Sequence, residues 1–304
     1  MLTSPRPLRV GVLCSRRAPG LLHLLDLYDR AESEVVCVIS TDGDFSEAPR
    51  LRERGIPVIT HDIRAFYATR AAKLMKDLRV REAFDTETVG ILHRYEPDLV
   101  LLDGYLYLLT QPMLDTYRHR LLNLHFSDLT VRRADRRPAY IGIRAVRDAI
   151  VDGQRETSAT VHLVNSEPDG GAPLVRSWRF PVSPLVGRAR AWQAQDMLKA
   201  YAYAHQEWMM REASGPLLAA ALQLVVRGQL ALDTLGAREP RAVEPWSLNE
   251  SGHLFPPGAH TTRGHTAAAR RRCDTRQPGG SRRPWLRQHQ GTHALASTRE
   301  RREP

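Results

Sequence analysis

Cysteines and long apolar runs are scarce in this sequence of 304 residues. It has three cysteines, Cys14, Cys37 and Cys273, and no C-x-x-C pair, which excludes a disulfide framework of the kind found in small secreted domains. Cys14 and Cys37 lie in apolar, strand-like runs, where buried free thiols are expected. No run of about 18 apolar residues occurs, and residues 1–9 lack the apolar region of a signal peptide. These features predict a cytoplasmic protein that does not cross a membrane.

Basic charge is unevenly distributed along the chain. Of the formal net charge of +10, +8 comes from residues 258–304, which contain eleven arginines and three acidic residues. The rest of the chain is nearly neutral, so the charge does not favour nucleic-acid binding by the folded part. From about residue 236 the hydrophobic periodicity is lost, which predicts that residues 237–304 form a disordered tail of low complexity rich in Arg, Pro and Gly. A spurious extension of the coding sequence is an alternative origin for this tail.

Short β-rich runs alternate with helical segments through the first 130 residues. The runs are 8–14, 34–40, 56–60, 98–102 and 121–125, and this alternation predicts a mostly parallel α/β sheet with helices on both faces. Further on, residues 157–164 and 174–182 are expected to be strands joined by a Pro- and Gly-rich loop, and residues 139–151, 190–212 and 216–226 to be helices. We therefore expect a catalytic domain at 1–186, helices packed on it at 187–236, and the tail at 237–304.

Polar side chains of three types share one face of the fifth run. Alternation along a strand places Asn123, His125 and Ser127 on the same side, at the carboxyl end where ligands of parallel sheets gather. Asn123 offers N–H donors to an oxygen that gains negative charge, and the imidazole of His125 exchanges protons near neutral pH. Taken alone, this pattern fits a structural role as well as a catalytic one.

A second candidate element is the acidic turn at residues 167–173, EPDGGAP. Its two glycines, after Asp169, allow the backbone to approach a ligand closely, although a capped surface turn has the same composition. Blocks in a fixed order accompany it: REAFD, YEPDLVLLDGYLYLLT, RLLNLHFS, GIRAVRDAI and TSATVHLV. Over about residues 8–226, the chain resembles the folate-dependent formyltransferase family, and within it the members that act on glycinamide ribonucleotide.

The resemblance implies the formyltransferase fold, which is Rossmann-like, and transfer of a formyl group from 10-formyltetrahydrofolate to an amine without a metal. It implies that Asn123 stabilises the tetrahedral intermediate, that His125 is the general acid or proton shuttle, and that Asp169 favours protonated His125 and positions a water. His162 would lie on the neighbouring strand, in a catalytic or a structural role. The residues implied to bind the folate are Arg81, Leu106, Tyr107, Leu108, Leu109 and Asn123.

The loop after the first strand departs from the family pattern. In the family a Gly-, Asn- and Ser-rich loop holds the substrate phosphate with backbone N–H groups, whereas this chain has Pro19, which has no N–H, followed by Gly20 in place of Asn. The residues implied to bind the acceptor here are Ser15, Arg16, Arg17 and Gly20. Tyr107 stands where the family often has Arg, and Asp103 where a small apolar residue is usual.

The basic loops favour an anionic amine, with glycinamide ribonucleotide as the first choice. An amino sugar nucleotide or a secondary-metabolite intermediate is the alternative within the same reaction. A non-catalytic polyanion-binding protein that uses the Arg-rich tail, and a formyltransferase-like fold without activity, are the alternatives from other classes. The sequence indicates no membrane partner and does not indicate the oligomeric state.

Overall fold

The main sheet has nine strands and is parallel in its first half. A computed structural model describes residues 6–29, 31–73 and 77–259. The strands are β1 (Leu8–Cys14), β2 (Ser33–Ser40), β3 (Val58–Thr60), β4 (Leu99–Leu102), β5 (Leu121–His125), β6 (Glu156–Thr157), β7 (Thr160–Leu163), β8 (Pro173–Arg176), β9 (Phe180–Pro181), β10 (Trp246–Leu248) and β11 (Leu254–Phe255). Strands β3, β2, β1, β4 and β5 are neighbours and parallel. Strand β7 is antiparallel to β5 and to β8, and β6 pairs with β9 in a small separate sheet.

Helices connect and cover these strands. They are α1 (Leu21–Leu27), α2 (Ala48–Glu53), α3 (Ile63–Ala68), α4 (Leu78–His93), α5 (Gln111–Thr116), α6 (Ala145–Val151), α7 (Val186–Ala191), α8 (Gln195–Val226) and α9 (Leu232–Gly236), with a 3-10 turn at Pro240–Ala242. The central parallel strands β1 and β4 are apolar and largely buried, as strands covered on both faces must be, whereas β3 at the edge is only partly buried. The predicted fold class, a mostly parallel sheet with helices, is therefore confirmed.

Two predicted C-terminal helices form one continuous helix. Helix α8 has 32 residues and runs through Pro216, where the sequence had predicted a break. Proline removes one backbone N–H from the helix, yet the segment packs closely on α1 and the loop before it: a Cβ on Gly215 would lie 2.6 Å from the His23 side chain, and one on Gly20 would lie 2.9 Å from Ser214. Tertiary packing thus outweighs the local preference of proline.

The tail was predicted to begin at residue 237, but the chain contains two further strands after this point. Residues 246–248 form β10, which pairs in parallel with β8, and β11 pairs with β10. Val243 and Leu248 are buried against the main core, and this burial stabilises a segment whose composition alone favours disorder. The part of the tail from residue 260 onward, including Cys273, lies outside the described residues.

The other boundaries differ in smaller ways. The helix predicted from residue 139 begins at Ala145, because residues 138–144 form a loop that contacts the candidate site. The two predicted strands after it are each divided into shorter pieces, β6 with β7 and β8 with β9. Within the described ranges, no helix has the length and apolar character needed to cross a bilayer.

Candidate active site

Four polar side chains meet beside the paired strands β5 and β7, towards the carboxyl end of β5. Asn123 and His125 project from the same face of β5, and His162 on β7 lies directly opposite Asn123 in the antiparallel register. Asp169 reaches them from the loop between β7 and β8. We call Asn123, His125, His162 and Asp169 the strand-end cluster. It brings together the three residues predicted to be catalytic and the histidine whose role was left open.

The amide of Asn123 is held by His162. Its Nδ2 lies 3.0 Å from His162 Nε2 and 3.5 Å from Asp169 Oδ1. His162 Nδ1 is 2.7 Å from the Leu163 carbonyl, which can only accept, so Nδ1 carries the hydrogen in the neutral ring. Nε2 then accepts from Asn123. One amide N–H is satisfied in this way, and the other makes only a long contact.

His125 is buried and close to two acceptors. Its Nε2 lies 3.2 Å from the Tyr140 carbonyl oxygen, which also accepts a hydrogen bond from Ser127, and its Nδ1 lies 3.5 Å from Asp169 Oδ1. Burial lowers the pKa of His125, and the charge of Asp169 opposes this only in part. The net direction is downward, so the expected preference for the protonated ring is reversed by desolvation. The neutral ring carries its hydrogen on Nε2 and has an unprotonated Nδ1.

Asp169 is fixed by an unusual backbone. Its φ of +52° is in the left-handed region, which costs energy for a non-glycine residue and is maintained by the surrounding contacts. Gly142 N–H donates to Oδ2 at 2.7 Å, and a Cβ on Gly171 would lie only 1.8 Å from the Leu163 carbonyl oxygen. Burial favours the neutral acid, but the hydrogen bonds and the neighbouring His162 and His125 hold the pKa of Asp169 well below its usual range. Asp169 is therefore a carboxylate at neutral pH.

A cavity of about 290 Å³ opens beside the cluster. One wall is the loop after β4, which contributes the predicted residues Leu106, Tyr107, Leu108 and Leu109. Leu106 and Leu108 are more than half exposed, so this wall offers apolar surface to a ligand. The opposite wall includes Gln206 and Met210 of α8, which the sequence analysis missed because no local pattern distinguishes them from other helix positions.

Arg81 does not line this cavity, contrary to the prediction. It is 3% exposed, and its guanidinium donates to the Leu108 carbonyl at 3.0 Å and to the Tyr105 hydroxyl at 2.6 Å. Its Nη1 lies 2.7 Å from Asp85 Oδ1, close enough for an ion pair although not aligned as a hydrogen bond. Asp85 in turn accepts from the backbone and hydroxyl of Thr110. The i,i+4 spacing places both side chains on one face of α4, and their hydrogen bonds to Tyr105, Leu108 and Thr110 support the cavity-lining loop from behind.

Residues 15–20, which we call the first loop, lie at the end of β1 and do not line the cavity either. The loop touches the cavity wall through Ser15, whose Oγ accepts the Leu106 N–H at 3.2 Å, and through Arg17, whose carbonyl oxygen would be 2.3 Å from a Cβ on Gly104. The guanidinium of Arg17 forms two hydrogen bonds, of 2.8 and 3.0 Å, with the carboxylate of Glu207 on α8. Arg16 points to Asp42 and Asp44, with separations of 3.8 and 3.9 Å.

Asp103 is buried next to the first loop and binds its backbone. Its side chain is fully buried, and Oδ2 accepts the Gly20 N–H at 2.9 Å. Oδ1 is buried without a hydrogen-bond partner among the described residues. Burial raises the pKa of Asp103 to about 7, although the Gly20 hydrogen bond opposes this. A carboxyl group of the protein thus occupies a backbone donor of this loop.

A larger cavity lies elsewhere and contains no predicted site residue. It measures about 870 Å³ and is bordered by α1, α8 and the β10–β11 hairpin. Its size alone does not make it the better candidate, because the cluster of coupled polar groups lies beside the smaller cavity. No group of three or more potential metal ligands occurs among residues 6–29, 31–73 and 77–259.

This chain is similar to several known proteins. The profile described as Formyl transferase matches residues 8–186. The trifunctional purine biosynthetic protein adenosine-3 of Drosophila melanogaster is 32% identical over 189 residues, which cover 60% of this chain and 12% of that protein. Phosphoribosylglycinamide formyltransferase of Escherichia coli K12 is 30% identical over 177 residues, 58% of this chain and 74% of the relative.

A solved structure extends the likeness to the fold. Glycinamide ribonucleotide transformylase 1 from Symbiobacterium toebii superposes with a TM-score of 0.54 at 26% identity, covering 75% of this chain and 92% of that chain. The match to the Drosophila protein spans only about an eighth of its length, while the two bacterial proteins are matched over most of theirs. The profile match, over more than half of the chain, includes every residue of the strand-end cluster.

Proposed function

Because the chain belongs to the formyl transferase family, we propose that it transfers a formyl group from 10-formyltetrahydrofolate to an amine, with glycinamide ribonucleotide as the acceptor. The strand-end cluster carries this proposal. Asp169 Oδ1 lies 3.5–3.6 Å from polar atoms of Asn123, His125 and His162, beside a cavity. Asn123 and His162 are in addition 3.0 Å apart. The choice of glycinamide ribonucleotide as the acceptor follows from the relatives, which are named for that substrate. An amino sugar nucleotide or another anionic amine is the alternative.

The cavity fits one end of a reduced folate. Its loop wall is apolar, which suits a flat heteroaromatic ring, and backbone and amide groups near Asn123 and Asn165 offer polar partners. When bound, the folate supplies the formyl carbon and the nitrogen that leaves it. Leu106, Leu108 and Leu109 would hold the ring, while Arg81 acts through the loop rather than by contact.

Asn123 would stabilise the formyl oxygen as it becomes negative. One amide N–H is already fixed by His162, which sets the orientation of the group before substrate arrives. The other N–H makes only the contact of 3.5 Å with Asp169, and it is therefore available to an oxygen in the cavity. Such a preset donor is worth about 3 kcal/mol in comparable enzymes.

His125 would carry the proton. As the acceptor nitrogen bonds to the formyl carbon it must lose a proton, and the bond from that carbon to the folate nitrogen then breaks and leaves a nitrogen that needs one. Neutral His125 takes the proton at Nδ1, the nitrogen facing Asp169, and the carboxylate offsets the new positive charge. His125 then returns it to the folate nitrogen, so the step is balanced without a metal.

The test is to mix the purified protein with 10-formyltetrahydrofolate and glycinamide ribonucleotide. Loss of the formyl group from the folate is followed by absorbance, and the acceptor product is identified by the mass of one added formyl group. We expect turnover that depends on the amine. Equal loss of formyl without any amine would show hydrolysis instead and would contradict the proposal.

The cytoplasmic location remains a prediction, with which the free, buried Cys14 and Cys37 are compatible.

A further inference from the structure

The rim of the cavity contains an arginine that is neutralised by the protein itself. Arg17 and Glu207 form a bidentate pair, and both side chains are partly exposed, at 48% and 33%. Gln206, the neighbour of Glu207, lines the cavity, and so does Gly104, against which the Arg17 carbonyl packs. The pair therefore spans the edge of the cavity between the first loop and α8.

No lysine or arginine lines the cavity itself within the described part of the chain, whereas Glu167 and Asp169 do. A second donor of the first loop, the Gly20 N–H, is occupied by the buried Asp103. Of the two arginines in the loop, Arg16 points to Asp42 and Asp44. Arg17, whose carbonyl packs against the cavity wall, is thus the arginine of the first loop that is placed to meet an anionic substituent of a bound acceptor, and Glu207 is the competing anion.

We propose that Glu207 is a specificity-determining residue, which competes with the anionic group of the acceptor for Arg17 and so limits the preference of this site for phosphate-bearing amines. The proposal rests on the proposed function for its acceptor site. A guanidinium pairs with a phosphate in the same fork geometry as with a carboxylate, so the two anions exclude each other. An acceptor without an anionic group does not compete for Arg17, so its affinity does not depend on Glu207.

The test compares the variant Glu207→Gln with the wild type in binding and in turnover. Calorimetric titration with glycinamide ribonucleotide, and with glycinamide as the phosphate-free amine, measures affinity without requiring catalysis. We expect Glu207→Gln to bind glycinamide ribonucleotide about two- to fivefold more tightly, the size expected from releasing a partly exposed ion pair. Affinity for glycinamide and KM for the folate should stay unchanged.

Two further variants make the result specific. The double variant with Arg17→Gln and Glu207→Gln should not bind glycinamide ribonucleotide more tightly than the wild type, because the cation released by Glu207→Gln is then absent. Glu156→Gln removes the same charge from another pair, Arg179–Glu156 at 2.8 Å on the small sheet, and should leave the acceptor affinity unchanged. Thermal unfolding of each variant checks that it folds.

Unchanged affinity of folded Glu207→Gln for glycinamide ribonucleotide, or no binding of it by either protein, would overturn this inference. A gain that persists in the double variant would overturn it too. If the variant gains affinity while neither protein turns over the folate, the inference stands and the formyl transfer proposal fails. The two claims are therefore tested separately.

Discussion

The strand-end cluster and the first loop lie at the same edge of the sheet but use their polar groups differently. In the cluster, the second amide N–H of Asn123 and the Nδ1 of His125 have only long contacts and face a cavity. In the first loop, Arg17 and the Gly20 N–H are bound at short distance by the carboxyl groups of Glu207 and Asp103. The groups for chemistry are thus left available to a ligand, while the groups that could bind an anion are satisfied internally.

The largest effect is expected in the cluster. Asp169→Asn removes the charge that offsets protonated His125 and should lower kcat by between about a hundredfold and ten thousandfold, as loss of acid–base function does. Steady-state rates with 10-formyltetrahydrofolate and glycinamide ribonucleotide measure this. Asp196→Asn, which removes an exposed charge on α8, is the control and should have no effect. A folded Asp169→Asn enzyme with wild-type kcat would show that the strand-end cluster does not carry the chemistry.

The loop after β4 is held by a buried ion pair, and breaking it should mainly affect stability. Arg81→Leu leaves Asp85 buried without its cation and should lower the free energy of unfolding by about 3 kcal/mol. Urea denaturation measures this. The double variant Arg81→Leu with Asp85→Leu should recover part of the loss, because no unpaired charge remains. Losses that simply add would mean that the two side chains do not interact.

Asp103 should make the first loop sensitive to pH. Its pKa of about 7 in the fold lies above the value of about 3.9 for an exposed Asp, so the folded state binds the extra proton between these values. Stability from this group is therefore present at low pH and is lost as the pH rises from about 4 to 7. We expect the free energy of unfolding of Asp103→Asn, relative to wild type, to rise by about 4 kcal/mol between pH 4 and pH 8.

Urea denaturation of both proteins across this pH range isolates Asp103, because the other titrating groups are common to both. A difference that does not change with pH would mean that Asp103 titrates normally. The hydrogen bond from Gly20 would then be the reason for its burial, and the first loop would not carry a carboxyl group held near neutrality.

The smallest effect concerns the orientation of Asn123. His162→Phe removes the acceptor at 3.0 Å and should lower kcat about tenfold with little change in KM, since the amide remains but is no longer fixed. His162→Gln offers an acceptor in a similar place and should restore part of the rate. A structural role alone would change the thermal midpoint in His162→Phe without this recovery of kcat.

Much of the fold and of the cluster could be predicted because the signals are local. Alternation in LLNLH sets the shared face of Asn123 and His125, and the strand–helix order sets the parallel sheet. The order of the family motifs placed Asp169 in the site, although its left-handed backbone and its bond from Gly142 are not visible in the sequence.

What the sequence did not predict depends on tertiary packing. The resemblance to the family implied that Arg81 binds the folate, but the helix turns it into the core. Gln206 and Met210 of α8 line the cavity, and only the packing of this helix on the sheet domain reveals that. The ordered segment at residues 243–255 owes its structure to the free edge of β8, which no local pattern reveals.

A double-variant cycle in single turnover tests the central claim most directly, which is that Asn123 and His125 act together on one reacting group. Enzyme in excess over 10-formyltetrahydrofolate, with glycinamide ribonucleotide present, gives the rate of formyl transfer itself. We predict that Asn123→Ala and His125→Ala each lose at least about a hundredfold, and that the double variant loses far less than the product of the two, as residues acting as a unit do. Losses that multiply would show that the two side chains act independently, and folded single variants that transfer formyl at the wild-type rate would show that they do not act in the reaction.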